Sequence, residues 1–195
     1  MKGKTVLELG SGPAVVGISA AILGAKEVIL SDLAYTLPLV QNNIHLNQNA
    51  INDGECNSIK CMEIDWFKPP SIEVLSSCWS LSLLSSGNLD GSTTSMDINS
   101  NSNTHMHNNS FPQVVLIADC IWLEGLVNPL MNTVEQLSHA NHTEVIITYQ
   151  RRGKAAHDVF WKRLRDAFTS IEELDTMAMC GLEKPESISL LICHR

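Results

Sequence analysis

Short apolar runs alternate along the chain with longer amphipathic segments, and several of the apolar runs stop at a glycine or an aspartate. Where β-branched and apolar residues run together, buried strands are predicted at 5–9, 27–31, 59–64, 114–118, 144–149 and 188–193. Between them, helical spacing of apolar residues or clustered alanines predicts helices at 15–24, 37–47, 126–137 and 155–168. Strands alternating with such helices form βαβ units. The pattern therefore predicts an α/β fold with a doubly wound, mostly parallel sheet.

One stretch, 76–110, departs from this alternation. Serine and asparagine make up half of residues 85–110, and Asp90 and Asp97 are the only Asp, Glu, Lys or Arg residues there. Such a composition buries too little apolar surface to offset its chain entropy, so we expect a disordered surface insertion between the third and fourth strands. Loop-closure entropy grows only slowly with length, so a single domain over residues 1–195 accommodates the insertion.

Composition and charge exclude several classes of protein. The 195 residues are 44% hydrophobic and 17% charged, which suits one globular core. The net charge of −8 disfavours nucleic acid as the main partner, because phosphate binding needs a basic face. No apolar run reaches the length of about 18 residues that a membrane span requires, and the first residues show no signal-peptide pattern.

The cysteine and histidine positions predict neither disulfides nor a metal site. None of the six cysteines forms a C-x-x-C pair, which indicates reduced thiols in the cytoplasm. His139 and His142 have no third ligand within reach in the sequence, so no metal is expected. Cys120 has no histidine partner, and a catalytic thiol is therefore not expected.

A glycine-rich turn follows the first predicted strand and opens the first predicted helix. At Gly10 and Gly12, backbone N–H groups can approach a ligand closely. Asp32 follows the second strand, where an acid can accept hydrogen bonds from ribose hydroxyls. Together they predict a site for a nucleoside-containing cofactor. The alternative is a plain strand-to-helix turn with a surface aspartate.

The spacing in this turn separates two classes of cofactor. The dinucleotide fingerprint G-x-G-x-x-G requires glycine at position 15, where the chain has Val15. The methyltransferase loop E-x-G-x-G-x-G places an acid two residues before its first glycine. Glu8, Gly10 and Gly12 match it, and Ala14 replaces the last glycine. S-adenosylmethionine carries no phosphate, so the loop need only accommodate an amino-acid end and a ribose, and this second pattern fits better.

Five ordered motifs cover most of the chain outside the insertion. They are VLELGSGPAVVGISAAILGAKEVILSDL, QNNIHLNQN, EIDWF, VVLIADCIWLEGLVNPLMNTVEQL and VIITYQRR. Together they resemble the family-16 (seven-β-strand) protein-lysine methyltransferases. The resemblance implies a Rossmann-like seven-strand methyltransferase fold and methyl transfer from S-adenosylmethionine to a lysine of a cytosolic protein. Chaperones and elongation factors are substrates in this family, and we expect a cytoplasmic monomer that binds neither nucleic acid nor membrane.

The resemblance also assigns roles to individual residues. The glycine loop holds the methionine part of the cofactor, the acid after the second strand binds the ribose, and the Asp-Trp pair contacts the adenine. The implied cofactor contacts are Glu8, Gly10, Ser11, Gly12, Asp32, Asp65, Trp66 and Ala118. The family's Asp-x-x-Tyr motif corresponds to Asp119 and Trp122, with tryptophan in place of tyrosine.

Two expectations concern the chemistry at this motif. Asp119 is expected to orient the lysine amine, while Trp122 and Tyr149 are expected to form walls of the lysine channel. The alternative is that Asp119 caps the following helix and Trp122 is a packing residue. Family members also carry a segment before the first strand, which this chain begins too late to contain. We therefore expect either a truncated chain or a more open pocket.

Two alternatives to lysine methylation remain at the level of the sequence. One is a methyltransferase that acts on a small molecule or on another protein side chain. The other is a module that binds the cofactor and has lost turnover. The core of the fold is common to all three and does not decide between them.

Overall fold

The computed structural model describes residues 1–79, 110–181, 185 and 187–195. The strands are β1 (Thr5–Leu9), β2 (Glu27–Asp32), β3 (Ser58–Glu63), β4 (Val114–Ala118), β5 (Glu144–Gln150), β6 (Ser170–Glu173) and β7 (Ile188–His194). They form one seven-stranded sheet in the order β3-β2-β1-β4-β5-β7-β6. β1 to β5 run parallel, and β7 pairs antiparallel with both β5 and β6.

Helices cover both faces of the sheet. They are α1 (Val15–Ile22), α2 (Leu37–Leu46), α3 (Gln48–Asp53), α4 (Ile72–Trp79), α5 (Glu124–Leu137), α6 (Lys154–Ala167) and α7 (Thr176–Cys180). Successive side chains of a strand point to opposite faces. Thus Leu7 and Leu9 pack in the cluster that includes α4, α5 and α6, while Val6 packs in the cluster that includes α1, α2 and α3. The predicted doubly wound α/β fold is confirmed.

The order of the strands places a crevice at the ends of β1 and β4. β1 lies between β2 and β4, so the chain winds outward from β1 in both directions. Leu9 of β1 is level with Ser31 of β2 and with Ile117 of β4. Ligands of open parallel sheets bind outside the carboxyl ends of the strands at such a switch point. The glycine turn after β1, Asp32 at the end of β2 and Asp119 directly after β4 meet at this edge.

Several elements differ from the pattern-based prediction. β6 was not predicted, because three of its four residues are exposed and it carries no alternating apolar face. The short helices α3, α4 and α7 were not predicted either. α4 includes residues 76–79, which the composition had placed in the insertion. The remainder of that predicted insertion, 80–109, lies outside the described residues. Among the described residues no helix combines the length and the apolar character needed to cross a membrane.

Candidate functional site

The glycine turn after β1 is tightly packed at one glycine and open at the other. Gly10 has φ +67°, and a Cβ there would lie 2.7 Å from Cys120 Sγ and 2.8 Å from Trp66 Cζ2. Gly12 has φ +51°, and a Cβ there would meet no heavy atom within 4 Å. Both need the left-handed backbone that glycine tolerates best. The turn therefore packs against its neighbours at Gly10 and leaves free space at Gly12.

Ala14 stands where the loop pattern has its third glycine. It keeps the left-handed backbone of a glycine, with φ 62°, and it precedes the first residue of α1. Its side chain is fully buried and packs in the cluster formed with α1. Loss of the third glycine thus leaves the conformation of the turn in place.

The Asp32 carboxylate joins the turn to the end of β2. Its Oδ2 accepts a hydrogen bond from the Gly12 N–H at 2.8 Å, and its Oδ1 accepts one from the Leu33 N–H at 2.7 Å. Each carboxylate oxygen has two lone pairs, so both can still accept a hydroxyl from a ligand. Asp32 lines the cavity described below.

Two of the predicted cofactor contacts, Glu8 and Ser11, lie behind the turn instead of in the cavity. The Ser11 N–H and hydroxyl both donate to the Ser31 carbonyl, at 2.9 and 3.2 Å. Glu8 Oε2 accepts from the Gly17 N–H at 3.2 Å. Glu8 is buried, and this burial raises the pKa of its carboxyl to about 7. Both side chains therefore support the turn from beneath.

A cavity of about 510 Å³ opens in front of the turn. Its lining contains Gly10, Gly12, Asp32, Leu33, Tyr35, Thr36, Ile64, Asp65, Trp66, Phe67, Ala118, Asp119, Cys120, Trp122 and Leu126. This volume lies within the range of small-molecule sites, roughly 300–1,000 Å³. The structure thus brings together six of the eight predicted cofactor contacts and both residues of the predicted transfer motif.

The Asp-Trp pair after β3 forms one wall of this cavity. Asp65 Oδ1 accepts from the Phe67 N–H at 2.9 Å, which fixes a tight turn. Trp66 is half-buried, packs against the larger core cluster and approaches Gly10. Its ring therefore offers an aromatic surface close to the glycine turn.

The charges of the lining indicate what kind of ligand it fits. Asp32, Asp65 and Asp119 are acidic, and the lining includes no lysine or arginine among the described residues. A dinucleotide would bring phosphates to a lining whose described charged residues are all acidic. S-adenosylmethionine carries a positive sulfonium and an ammonium group but no phosphate, and its ribose hydroxyls suit the free lone pairs of Asp32. The residues present fit S-adenosylmethionine.

Asp119 occupies the edge of the cavity beyond β4. Its backbone is left-handed, with φ 56°, and its N–H donates to the Thr148 carbonyl at 2.8 Å. Arg152 Nη2 donates to Asp119 Oδ2 at 2.5 Å, and both side chains are about half exposed. The alternative in which Asp119 caps the next helix is wrong, because Leu123 occupies the N-cap of α5 and no side chain caps it.

The two expected aromatic walls lie in different places. Trp122 lines the cavity and is 51% exposed, so it stands at the mouth. Tyr149 is buried against α6, where its hydroxyl accepts from Trp161 Nε1 at 2.5 Å and lies 3.1 Å from His157 Nδ1. The expectation that Tyr149 forms a wall of the channel is wrong, because strand alternation turns it toward α6.

Cys120 lies under the turn as a protonated thiol. Its Sγ is 3.4 Å from the Leu9 carbonyl oxygen, and the side chain is buried. Burial is the main cause that raises the pKa of this thiol to about 12, so little thiolate forms near neutral pH.

Sequence reasoning missed several residues of the cavity and the partner of Asp119. Tyr35 and Phe67 line the mouth and follow the predicted acids Asp32 and Asp65 by two or three positions. Arg152 follows β5 at the same edge of the sheet as Asp119. In each case the residue lies shortly after the end of a predicted strand, and this position could have indicated that it belongs to the site.

Comparison with known proteins identifies the family of the chain. Residues 1–85 and 91–167 match the lysine methyltransferase family. The chain is 28% identical to protein N-lysine methyltransferase METTL21A of Danio rerio over 177 residues, covering 89% of this chain and 61% of that protein. It is 24% identical to protein-lysine N-methyltransferase EFM6 of Saccharomyces cerevisiae over 178 residues, covering 88% and 59%. The chain thus spans about three fifths of the length of these relatives.

The fold has a similar solved structure. The TehB-like SAM-dependent methyltransferase from Corynebacterium glutamicum superimposes with a TM-score of 0.57 at 12% identity, covering all of this chain and 82% of that one. At this identity the likeness concerns the fold alone. The match to the family covers most of the chain, and three of the five motifs contribute residues to the lining of the cavity. The chain belongs to the lysine methyltransferase family.

Proposed function

We propose that this chain transfers a methyl group from S-adenosylmethionine to a lysine side chain of a protein. The observation that carries the proposal is the acidic cavity at the switch point of the sheet, with the glycine turn beside it and Asp119 at its edge. Membership of the lysine methyltransferase family supports the same reaction.

The cofactor would lie along the cavity from the glycine turn to the wall after β3. We assign Gly10 and Gly12 to its methionine end and Asp32 to its ribose hydroxyls. Asp65 and Trp66 are assigned to the adenine, which stacks favourably on an aromatic ring. Ala118, without a long side chain, leaves room between the turn and Asp119. Glu8 and Ser11 support the turn through their contacts with Gly17 and Ser31.

When bound, S-adenosylmethionine supplies an electrophilic methyl group on a positively charged sulfur. A lysine with a reference pKa of about 10.4 must first release a proton to solvent, which costs roughly 4 kcal/mol near pH 7.4. Asp119 accepts a hydrogen bond from the amine and directs its lone pair toward the cavity. Trp122 at the mouth contacts the aliphatic part and the charged end of the incoming side chain. Alignment of nucleophile and methyl is the main contribution of such a site.

The substrate we propose is a cytosolic protein, such as an elongation factor or a chaperone. One similar protein, 46% identical over 46 residues, is the EEF1A lysine methyltransferase 3 of Mus musculus, and this match covers 24% of the present chain and 19% of that protein. The acidic composition of the chain suits a basic segment around the target lysine. All six cysteines are free, which suits action in the cytoplasm, and we propose that the chain acts there as a monomer.

The proposal is tested by calorimetry followed by transfer of radiolabelled methyl groups. The chain should bind S-adenosylmethionine, and incubation with a cell lysate should place label in protein that yields methyl-lysine after acid hydrolysis. Label in a small molecule or in another amino acid would identify the alternative methyltransferases. Cofactor binding without any transfer would identify an inactive binding module.

A further inference from the structure

Arg152 makes an ion pair with the residue proposed to orient the substrate amine. The guanidinium Nη2 lies 2.5 Å from Asp119 Oδ2, although the two residues are 33 positions apart in the chain. Arg152 Nε also donates to Gln150 Oε1 at 3.2 Å, so the guanidinium is held from two sides. Asp119 lines the cavity, whereas Arg152 does not. The pair thus connects the cavity edge to the residues that follow β5.

The pairing of the strands sets up this contact. β4 and β5 are parallel neighbours with Ala118 level with Thr148, and the Asp119 N–H continues the ladder to the Thr148 carbonyl. The residues after both strands therefore emerge side by side. Half-exposed ion pairs contribute little to folding stability, so stability alone is a weak reason for this geometry.

The chemistry proposed for the site gives the pair a second purpose. A lysine becomes a nucleophile only after its ammonium loses a proton. A lone carboxylate beside it favours the charged ammonium and so opposes that loss. A carboxylate paired with a guanidinium can still accept a hydrogen bond from the amine through its remaining lone pairs, while its charge is largely cancelled.

We propose that Arg152 is a positioning residue for methyl transfer that acts through Asp119: it cancels the charge of the Asp119 carboxylate at the cavity edge, so that a substrate lysine meets an acceptor without net negative charge. The inference rests on the proposed lysine methylation. In that reaction the ammonium gives one proton to water, the nitrogen lone pair forms an N–C bond with the methyl group, and the C–S bond breaks. The sulfur becomes a neutral thioether, and the product is a methylammonium.

Among the described residues, Arg152 is the basic side chain that forms an ion pair with Asp119. Asp32 and Asp65 line the same cavity, and both accept hydrogen bonds from backbone N–H groups. Arg151 lies in a second cavity beside α6, together with His157, Asp158 and Arg165. Glu124 begins α5 and Lys154 begins α6, and both are exposed.

The test is the pH dependence of methyl transfer to total lysate protein. Arg152→Gln leaves the charge of Asp119 uncompensated and should move the rising limb of the pH–rate profile toward alkaline pH by about one unit. This is the smallest pKa shift typical of a charge within about 4–6 Å, and it applies here because the pair is half exposed. At pH 7.5 the rate should fall about tenfold, and it should approach the wild-type rate at high pH. Below the rising limb, where the substrate lysine is protonated, the apparent KM of the same variant should fall, because the uncompensated carboxylate attracts the ammonium group.

Matched variants separate this effect from a general loss of structure. Arg152→Lys keeps the charge and should restore the wild-type profile. Arg151→Gln removes an equal charge one position earlier, away from Asp119, and should leave the profile unchanged. In an Asp119→Asn background, Arg152→Gln should no longer shift the profile, since no carboxylate charge remains to be cancelled.

The outcomes distinguish this inference from the proposed function. A wild-type protein that labels no lysine at any pH contradicts the proposed function, and the role of Arg152 with it. An active wild type whose profile is the same in Arg152→Gln overturns the role of Arg152 alone. A uniform loss of rate at every pH with a raised KM also overturns it, because that result indicates a purely structural contact.

Discussion

The Asp32 carboxylate accepts a hydrogen bond from the Gly12 N–H at 2.8 Å, and this contact couples the end of β2 to the glycine turn after β1. The same side chain lines the cavity with lone pairs to spare. Asp32 therefore both shapes the turn and offers acceptors to a ligand, so its two effects have to be separated by substitution.

Asp32→Ala should weaken binding of S-adenosylmethionine by about 1.5–3 kcal/mol, because ribose hydroxyls and the Gly12 N–H lose a charged acceptor. Asp32→Asn keeps an oxygen acceptor and should show a smaller loss. Isothermal titration calorimetry measures both variants, with the exposed Asp166→Ala as a control on α6. An affinity equal to wild type in Asp32→Ala would remove this residue from the binding site.

The two glycines of the turn form a matched pair for a stability experiment. Both have positive φ, so alanine at either position carries a backbone cost of about 1–2 kcal/mol. Only at Gly10 does the new methyl group also collide with Cys120 and Trp66, which adds roughly 1–3 kcal/mol of overpacking. Urea denaturation should therefore show a larger loss of unfolding free energy for Gly10→Ala than for Gly12→Ala. Equal losses would contradict the packing around Gly10.

Glu8 should make folding stability depend on pH. Burial raises the pKa of its carboxyl from its ordinary value of 4.5 to about 7, so the folded state keeps a proton that the unfolded chain releases. This contribution is fully present below pH 4.5, is lost as pH rises through about 7, and amounts to about 3 kcal/mol in total. Above about pH 7 Glu8 should cause no further change in the free energy of unfolding.

Glu8→Gln should remove this dependence. The unfolding free energies of wild type and variant are measured in urea between pH 5 and pH 8. The wild-type value minus the Glu8→Gln value should fall as the pH rises over this range. The exposed Glu172→Gln serves as the control on the edge strand β6. A wild-type minus Glu8→Gln difference that is constant over this range would show that Glu8 does not titrate there.

Trp122 at the mouth should act on substrate and not on folding. Trp122→Ala removes an aromatic face that is 51% exposed, so KM for the protein substrate should rise while the melting temperature changes little. Trp122→Tyr should retain most activity. Leu123→Ala is a matched control, because Leu123 is similarly exposed but lies outside the cavity lining. Similar KM values for wild type and Trp122→Ala would exclude Trp122 from the channel.

The sequence carries most of the fold because the central strands are buried and their pattern is clear. β1, β2 and β4 are buried over nearly their whole length and each has at least three apolar residues, as burial on both faces of a parallel sheet favours. β6 could not be predicted from the sequence, because this edge strand has exposed glutamates and no alternating apolar face.

The site was predictable only where a motif fixes both residue and position. Gly10, Gly12 and Asp32 sit at strand ends, and the edge of a parallel sheet brings such ends together. The direction in which a side chain points was harder to predict from the sequence. Ser11 points to Ser31 and Tyr149 to α6, and neither orientation follows from residue type. The Asp119–Arg152 pair forms because β4 and β5 are adjacent in the sheet. The two residues are 33 positions apart in the sequence, so this contact could not be read from the sequence.

The most direct test of the account compares wild type with Asp119→Ala at matched occupancy of S-adenosylmethionine, counting labelled methyl-lysine in single-turnover reactions with lysate protein. Calorimetry sets the occupancy, and thermal melts correct for the folded fraction. Wild type should form methyl-lysine, and Asp119→Ala should bind the cofactor nearly as well while transferring methyl groups about a hundredfold more slowly, because the amine loses its alignment. Equal turnover per folded molecule in the two proteins, or no methyl-lysine from a wild type that binds the cofactor, would contradict the account.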